Sequence, residues 1–295
     1  IFWVHNTDYF SWWNGEELNN HKELLHSQDL NKIVCLTNWH KNQWASKYNI
    51  SHDKIKVIGN GSSNGIDVER FNPNNFNDIK KIYFSDHHLS HAASAFFPSP
   101  FEEAIVLTAD GVGEWATSTI SVGNNNTIEI KEEINYPHSI GLLYSAFTYY
   151  TGFRVNSGEY KLMGLAPYGN PNSQQTKNYK EKILSEMVDI REDGSVLLNM
   201  KYFKYATGLK MTADKKWTNL FGIPPRNAES EISQEYMNMA LAIQQITEEI
   251  VLKLTKTAKE LTNSDYLVMA GGVALNSVAN GKLLESKLFK EITYN

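Results

Sequence analysis

The residues of this 295-residue chain whose types and spacing best suit a chemical role are two histidines, His87 and His91. They stand in segment 86–97, whose pattern predicts a helix with Asp86 as its N-cap. Residues i and i+4 share one face of a helix, so the two imidazoles can hold one metal ion, and a helix N-terminus favours their neutral, ligating form. A pair of solvated surface histidines is the alternative interpretation, because two ligands do not complete a site. His88 lies off that face and is predicted to be structural or to support the metal ligands from behind.

An apolar strand over residues 104–110 is predicted to end in a tight turn that leads into a second strand over 116–122. Gly111 and Gly113 stand at alternate positions in this turn, where they would let backbone amides approach an anion. Asp110, at the end of the strand, could orient a metal-bound water or a phosphate. The alternative interpretation is an ordinary hairpin, for which Asp-Gly is a common signal.

A second glycine-bearing turn follows the apolar strand predicted at 266–270 and precedes a helix. Gly271 and Gly272 would expose helix-terminal amides to a phosphate, and Asn276 closes the same motif. A close-packed turn without a ligand is the alternative interpretation.

Two charged residues, Glu159 and Lys161, lie in segment 156–171, which is rich in glycine and proline and is predicted to be a loop. Their side chains could bind ribose hydroxyls and a phosphate. A solvated surface pair, with most of its charge in water, is the alternative interpretation.

These residues need a framework to hold them, and the chain predicts an α/β one, because apolar strands alternate with helical patterns. Further strands are predicted at 1–4, 33–37, 54–58, 81–85 and 290–294, and further helices at 43–48, from about 140, and over 234–261. Two helices are predicted to bury one face each, through Leu89, Ala92, Ala93 and Phe96, and through Met239, Ile243, Ile246, Ile250, Leu254, Ala258 and Leu261.

Five ordered motifs, at 87–101, 108–117, 138–153, 158–169 and 270–283, carry a resemblance to a known family. Together they make residues 80–295 strongly resemble the O-carbamoyltransferases of nodulation-factor and antibiotic biosynthesis. The resemblance implies a partial domain of the actin-like ATPase superfold, similar to that of the tRNA threonylcarbamoyl-adenosine enzymes, with a nucleotide in its cleft.

The resemblance also implies roles for the residues already singled out. His87 and His91 match a metal-binding histidine pair, and the ion would be iron-like or another divalent metal. The remaining residues match phosphate- and nucleotide-contacting segments: Asp110, Gly111, Gly113, Glu159, Lys161, Gly271, Gly272 and Asn276.

The reaction implied by the resemblance is transfer of a carbamoyl group from carbamoyl-adenylate to a hydroxyl of a small molecule or sugar. The adenylate would be made from carbamoyl phosphate and ATP in a second, C-terminal domain, which is missing here. An aspartate that completes the metal site is expected beyond residue 295. The chain is therefore expected to be an enzyme fragment that is inactive alone, with both ends cut. A non-catalytic nucleotide- or metal-binding module is a further hypothesis.

Residues 1–75 resemble a different family of proteins. Residues 32–71, and above all the motif at 64–71, resemble a retaining glycosyltransferase with two Rossmann domains. The expected organisation is a Rossmann-like, glycosyltransferase-like fragment over 1–75, followed by the carbamoyltransferase-like domain over 76–295. A glycosyltransferase fragment remains an alternative function, although the sugar-nucleotide half has no counterpart after Phe71.

The amino-acid composition limits the classes of protein and of binding partner that fit this chain. Hydrophobic residues make up 41% of the chain and charged residues 21%, which excludes a disordered chain, and the net charge of -5 gives no general attraction to nucleic acid. We expect small-molecule partners and no membrane span, since no apolar run approaches 20 residues. Cys35 is the only cysteine, so no internal disulfide can form, and a cytoplasmic location is expected.

Overall fold

The computed structural model of the chain describes residues 2–4, 33–35, 55–57 and 85–294. The chain divides into two compact units, Ile1–Phe84 and Ser85–Asn295. In the first unit the described residues form three short parallel strands, β1 (Phe2–Val4), β2 (Ile33–Cys35) and β3 (Ile55–Val57), paired in that order. Strands were predicted at these three places. The helix predicted at 43–48, residues 81–84 of the strand predicted at 81–85, and the motif at 64–71 lie outside the described residues.

The second unit contains the elements that carry the predicted site residues. Their bounds in chain order are α1 (His87–Phe96), β4 (Glu103–Ala109), β5 (Ala116–Asn124), β6 (Thr127–Asn135), α2 (Ile140–Tyr150), α3 (Glu159–Leu165), a 3₁₀ turn (Ala166–Tyr168), α4 (Gln174–Lys182), a π-helical turn (Ile183–Met187), β7 (Val188–Ile190), β8 (Val196–Leu198), α5 (Asp214–Phe221), α6 (Gln234–Thr262), β9 (Tyr266–Ala270), a second 3₁₀ turn (Gly272–Leu275), α7 (Ser277–Ser286) and β10 (Glu291–Tyr294).

A five-stranded mixed sheet organises this unit, with the strand order β10-β9-β4-β5-β6. Strand β9 pairs in parallel with both β10 and β4, whereas β4, β5 and β6 form an antiparallel meander. The α/β class predicted from the sequence is thereby confirmed. Because β4 and β9 are parallel neighbours, their carboxyl ends meet at one edge of the sheet, which brings Asp110 beside Gly271.

Helix α1 covers one face of the sheet. Its apolar side packs on β4 and β9 in a small core made by these residues: Ala92, Ala95, Phe96, Ala104, Val106, Val268 and Ala270. The face predicted for this helix was partly wrong, because Leu89 and Ala93 are only half-buried while His88 and Ala95 are buried. The helix is rotated so that His88 can enter the interior, where it finds hydrogen-bond partners.

Helices α2 and α6 lie in the larger core on the opposite face. Six of the seven apolar positions predicted for α6 are buried, at 4% exposure or less, and the helix spans almost the predicted range. Leu261 was predicted to be buried and is 51% exposed. It belongs to the last turn, where the helix ends at Thr262 with Asn263 in the left-handed conformation.

The segment 156–171 contains helices where the sequence predicted a loop. Residues Glu159–Leu165 form α3, and Leu162 and Leu165 bury their side chains in the core. Burial of these two leucines stabilises the helix despite Gly164 in its last turn, since tertiary packing overrides weak helix propensity. In the part of the chain that the structure describes, no helix is long and apolar enough to cross a membrane.

Candidate functional site

The side chains of His87, His91 and Asp110 meet at the start of helix α1. The Asp110 Oδ2 atom lies 2.9 Å from His87 Nε2 and 3.0 Å from His91 Nε2. A carboxylate only accepts hydrogen bonds, so both imidazoles present an Nε2–H to this oxygen. One donor atom from each residue lies within 4.8 Å of the other two, which is close enough for one metal ion to bind all three. Sequence reasoning predicted that Asp110 orients a metal-bound water or a phosphate, expected the ligating aspartate beyond residue 295, and missed the direct contact of Asp110 with the histidines.

The Asp110 carboxylate is held in its ionised form. Burial favours the neutral acid and acts to raise its pKa. Hydrogen bonds from His87 and from the Gly111 amide, together with the nearby charges of His91 and His87, outweigh that effect and leave the pKa below its usual value. Gly111 N donates to Asp110 Oδ1 at 2.7 Å, so the other carboxylate oxygen faces the histidines.

His88 anchors helix α1 to the sheet. The side chain is 3% exposed, its Nδ1 lies 2.6 Å from Thr108 Oγ1, and its Nε2 donates to the Ala116 carbonyl at 2.8 Å. Burial lowers the pKa of this imidazole, so it stays neutral with the Nε2–H tautomer that the Ala116 carbonyl requires. The structural role predicted for His88 fits these contacts. With His88 fixed, His87 and His91 are directed away from the interior.

The Asp110–Ala116 turn packs directly on the first turn of α1. Asp86 has the extended backbone of an N-cap, but its side chain makes no capping hydrogen bond. Glu114 Oε2 accepts from His87 N at 3.0 Å instead. This hydrogen bond is the main cause that lowers the pKa of Glu114. A Cβ atom at Gly113 would lie 3.1 Å from the Cβ of His87, so this approach favours glycine.

The two predicted glycine turns are brought together at the end of β4. Gly271 has a φ of +94°, and a Cβ atom there would lie 2.4 Å from the Ala109 carbonyl oxygen. At Gly272 a Cβ atom would lie 2.9 Å from Asp110 Oδ1. Position 271 therefore requires glycine, both because a Cβ atom would clash there and because its φ angle favours glycine. The turn after β9 thus forms a wall of the same site as Asp110.

Two of the amides that were predicted to face a phosphate are already engaged within the turn. Gly111 N donates to Asp110 Oδ1, and Gly113 N donates to the Ala116 carbonyl at 2.8 Å. Ser139, the N-cap of α2, donates to the Asp110 and Gly111 carbonyls and accepts from Leu142 N. Helix α2 therefore begins beside the same turn, an end that sequence reasoning left out of the site. The signal available was Ser139, a residue type that favours the N-cap position, at the start of the predicted helix.

The side chain of Asn276 makes hydrogen bonds that stabilise the fold. Its Oδ1 accepts from Ala279 N and caps α7, and its amide exchanges two hydrogen bonds with that of Gln244, at 3.0 and 3.1 Å. Gln244 is 1% exposed and also accepts from Tyr144 OH and donates to Glu248. Asn276 therefore fixes the turn that follows β9, and its polar atoms point into this buried network.

Glu159 and Lys161 lie on α3. The Glu159 carboxylate accepts from Ser145 Oγ at 2.7 Å and from the amides of Asn156 and Gly158, so it ties the start of α3 to α2. Lys161 is exposed. Within residues 85–294, no hydrogen bond or ion pair joins either side chain to the histidine–aspartate cluster. Their predicted contact with a nucleotide stays a prediction.

Comparison with known proteins assigns the family. The family model described as Carbamoyltransferase N-terminus matches residues 27–294, which is most of the chain. This chain belongs to the carbamoyltransferase N-terminus family. The family match begins inside the segment 1–75 that resembles a glycosyltransferase fragment, so the two assignments overlap from residue 27 to 75.

Similar curated proteins include two nodulation proteins and an uncharacterized protein. The chain is similar to Nodulation protein NolNO of Sinorhizobium fredii, with 33% identity over 218 residues, and to Nodulation protein NolO of Bradyrhizobium diazoefficiens, with 31% identity over 209 residues. An uncharacterized protein of Synechocystis, sll1178, is 56% identical over 215 residues. These alignments cover 73%, 70% and 73% of this chain but 29%, 34% and 34% of the relatives. The chain thus spans about a third of the length of the curated relatives it matches.

Proposed function

We propose that this chain supplies the part of an O-carbamoyltransferase that binds carbamoyl-adenylate and passes its carbamoyl group to a hydroxyl of a small molecule or sugar. The observation that carries the proposal is the cluster of His87, His91 and Asp110 beside two glycine turns, within a chain of the carbamoyltransferase family. In this proposal ATP and carbamoyl phosphate are used by a separate adenylating domain of the full-length protein.

The donor set fits a divalent metal ion. Two imidazoles and one carboxylate on one side of a site suit iron(II) and other first-row divalent metals. His87 Nε2, His91 Nε2 and Asp110 Oδ2 would hold the ion, and the ordered positions of all three atoms fit that role. When bound, the ion would offset negative charge on the phosphate of the departing AMP.

The residues around this centre have defined tasks in the proposal. The substrate oxygen attacks the carbamoyl carbon, the bond from that carbon to the phosphate oxygen of AMP breaks, and the hydroxyl proton is released. The backbone of the Gly271–Gly272 turn packs closely on Ala109 and Asp110, and in the proposal it lies beside the phosphate. In the metal-free chain Asp110 keeps both imidazoles directed at one point through its hydrogen bonds to their Nε2–H groups, and those two protons would be displaced when the ion binds. Preorganised groups of this kind act without reorganisation during the reaction.

The fold class belongs to the same proposal. An antiparallel meander, β4-β5-β6, extended on one side by the parallel strands β9 and β10, supports a partial actin-like ATPase domain with its nucleotide at the carboxyl ends of β4 and β9. Ligands of open α/β sheets bind at such strand ends, which favours placing the adenylate next to Asp110.

Metal and nucleotide titrations test the site on this chain. Cobalt(II) absorbance should report binding to the wild-type chain, and calorimetry should then show tighter AMP binding with cobalt(II) than without it. His91→Ala should lose both effects, whereas His138→Asn, a histidine change on another element, should keep them. AMP affinity that is independent of cobalt(II) and of His91 would contradict the proposal.

The full-length protein allows a sharper test of the reaction. Carbamoyl-phosphate-dependent exchange of pyrophosphate with ATP should survive His91→Ala, because adenylation takes place in another domain. Release of AMP coupled to carbamoylation of an alcohol should be lost in that variant. Loss of the exchange itself, in a folded His91→Ala protein, would show that the cluster acts in adenylate formation instead.

A further inference from the structure

Helix α1 begins without help from its own N-cap side chain. Asp86 has extended backbone angles, φ -62° and ψ 145°, yet its carboxylate makes no capping hydrogen bond. The first amide of the helix, His87 N, instead donates to Glu114 Oε2 at 3.0 Å, across 27 residues of sequence. Orphan amides at a helix start need an acceptor, and an acidic group there also interacts favourably with the helix dipole.

Glu114 is an exposed residue in a turn that is closed by backbone hydrogen bonds. Asp110 N donates to the Thr117 carbonyl at 2.9 Å, and Gly113 N donates to the Ala116 carbonyl at 2.8 Å, so both ends of the turn are closed by backbone hydrogen bonds. The turn therefore carries Asp110 at its start and the helix-capping carboxylate near its end.

We propose that Glu114 is a positioning residue for the candidate metal centre. It ties the first turn of α1 to the turn that begins at Asp110, and so keeps His87 Nε2 within 2.9 Å of Asp110 Oδ2. Loss of the cap would release the first helical residue, His87, while His91, one turn further into the helix, keeps its place. The metal role in this inference rests on the proposed function; the capping role does not.

Two substitutions separate the hydrogen bond from the charge. Glu114→Ala removes both, whereas Glu114→Gln keeps an oxygen that can accept from His87 N. Glu132→Ala is the matched control, because Glu132 is an exposed glutamate on the edge strand β6. Outer residues that orient metal ligands typically affect metal affinity by about 10- to 100-fold when removed.

The first measurement uses the metal-free chain. Amide exchange of His87, followed by NMR, should accelerate at least about tenfold in Glu114→Ala and much less in Glu114→Gln and Glu132→Ala, following the loss of a capping acceptor. Unchanged exchange in Glu114→Ala would overturn the capping role whether or not the chain binds metal.

The second measurement is cobalt(II) affinity by absorbance titration. Glu114→Ala should weaken it about 10-fold or more, with Glu114→Gln recovering most of the loss. Equal losses in the Gln and Ala variants, with His87 exchange restored in Gln, would overturn the positioning role and make Glu114 a direct ligand. Absence of cobalt(II) binding by the wild-type chain would refute the metal centre of the proposed function. The capping role of Glu114 would then be decided by the amide exchange of His87 alone. If Glu114→Ala does not fold, Glu114→Gln against Glu132→Ala decides, since a positioning role predicts near-normal cobalt(II) affinity for Gln and a ligand role predicts its loss.

Discussion

Gly272 lies against the carboxylate of Asp110 so closely that a Cβ atom at position 272 would stand 2.9 Å from Asp110 Oδ1. The contact joins the turn after β9 to the end of β4, 162 residues apart by position (272 minus 110). Two motifs that the sequence suggests separately therefore form one site. The same Asp110 side chain contacts both histidines, so a substitution at position 272 should alter metal affinity at the candidate metal centre.

Gly272→Ala should weaken metal binding without unfolding the chain. The new methyl group would displace Asp110 Oδ1 from the Gly111 amide and so turn Oδ2 away from the histidines. We expect cobalt(II) affinity to fall by about tenfold, as for other disturbed ligand supports. Gly281→Ala on α7 is the matched control, because a Cβ atom there meets nothing within 4 Å. Equal affinities for the two variants would contradict the expected displacement of the Asp110 carboxylate.

Asp110→Asn should reduce metal affinity further than any change in the surrounding residues, by about 100-fold or more, since outer-residue losses reach about 100-fold. The amide keeps the shape of the side chain but replaces an anionic donor with a neutral one. Cobalt(II) titration followed by absorbance measures the loss, and thermal unfolding of the metal-free variant checks that the fold is intact. Wild-type affinity in Asp110→Asn would exclude the carboxylate from the site.

Gln244→Leu should lower the free energy of unfolding by about 2–6 kcal/mol, because it leaves the buried polar groups of Asn276 and Tyr144 without their partner, at about 1–3 kcal/mol each. Urea unfolding measures the difference. Gln245→Leu, at the next and only half-buried position, should cost far less. A small effect at position 244 would mean that the network is replaced by other contacts.

His138→Asn should make stability less dependent on pH. Burial lowers the pKa of His138 from 6.5, and its Nδ1 accepts from Leu198 N at 3.0 Å, which requires the neutral ring. The unfolded chain therefore takes up the proton first as pH falls, so the contribution of His138 is complete above pH 6.5 and is lost as pH falls through the lower folded pKa. Asparagine can accept the same hydrogen bond without titrating. Unfolding free energies at pH 7.5 and 5.5 should differ less in the variant than in the wild type; an equal difference would contradict this account.

Strand and helix positions could be predicted well where hydrophobic periodicity was strong. The long helix α6 and the buried strands β4 and β9 lie almost where their apolar patterns indicate, because burial on one or both faces dictates such patterns. The prediction for segment 156–171 was wrong because its glycines and prolines indicate a loop, whereas burial of Leu162 and Leu165 stabilises a helix. The composition of a short segment does not show which distant elements will pack against it.

The sequence by itself determined that His87 and His91 share a helix face, that Asp110 ends a buried strand and that Gly271 and Gly272 follow another. Each of these follows from short-range spacing, because helix and strand periods are properties of the local backbone. Only the tertiary structure decided that Asp110 binds both histidines, that Glu114 caps α1 and that Asn276 turns inward to Gln244. Those contacts depend on which strands pair and how α1 rotates on the sheet, and both are set by packing among residues far apart in the chain.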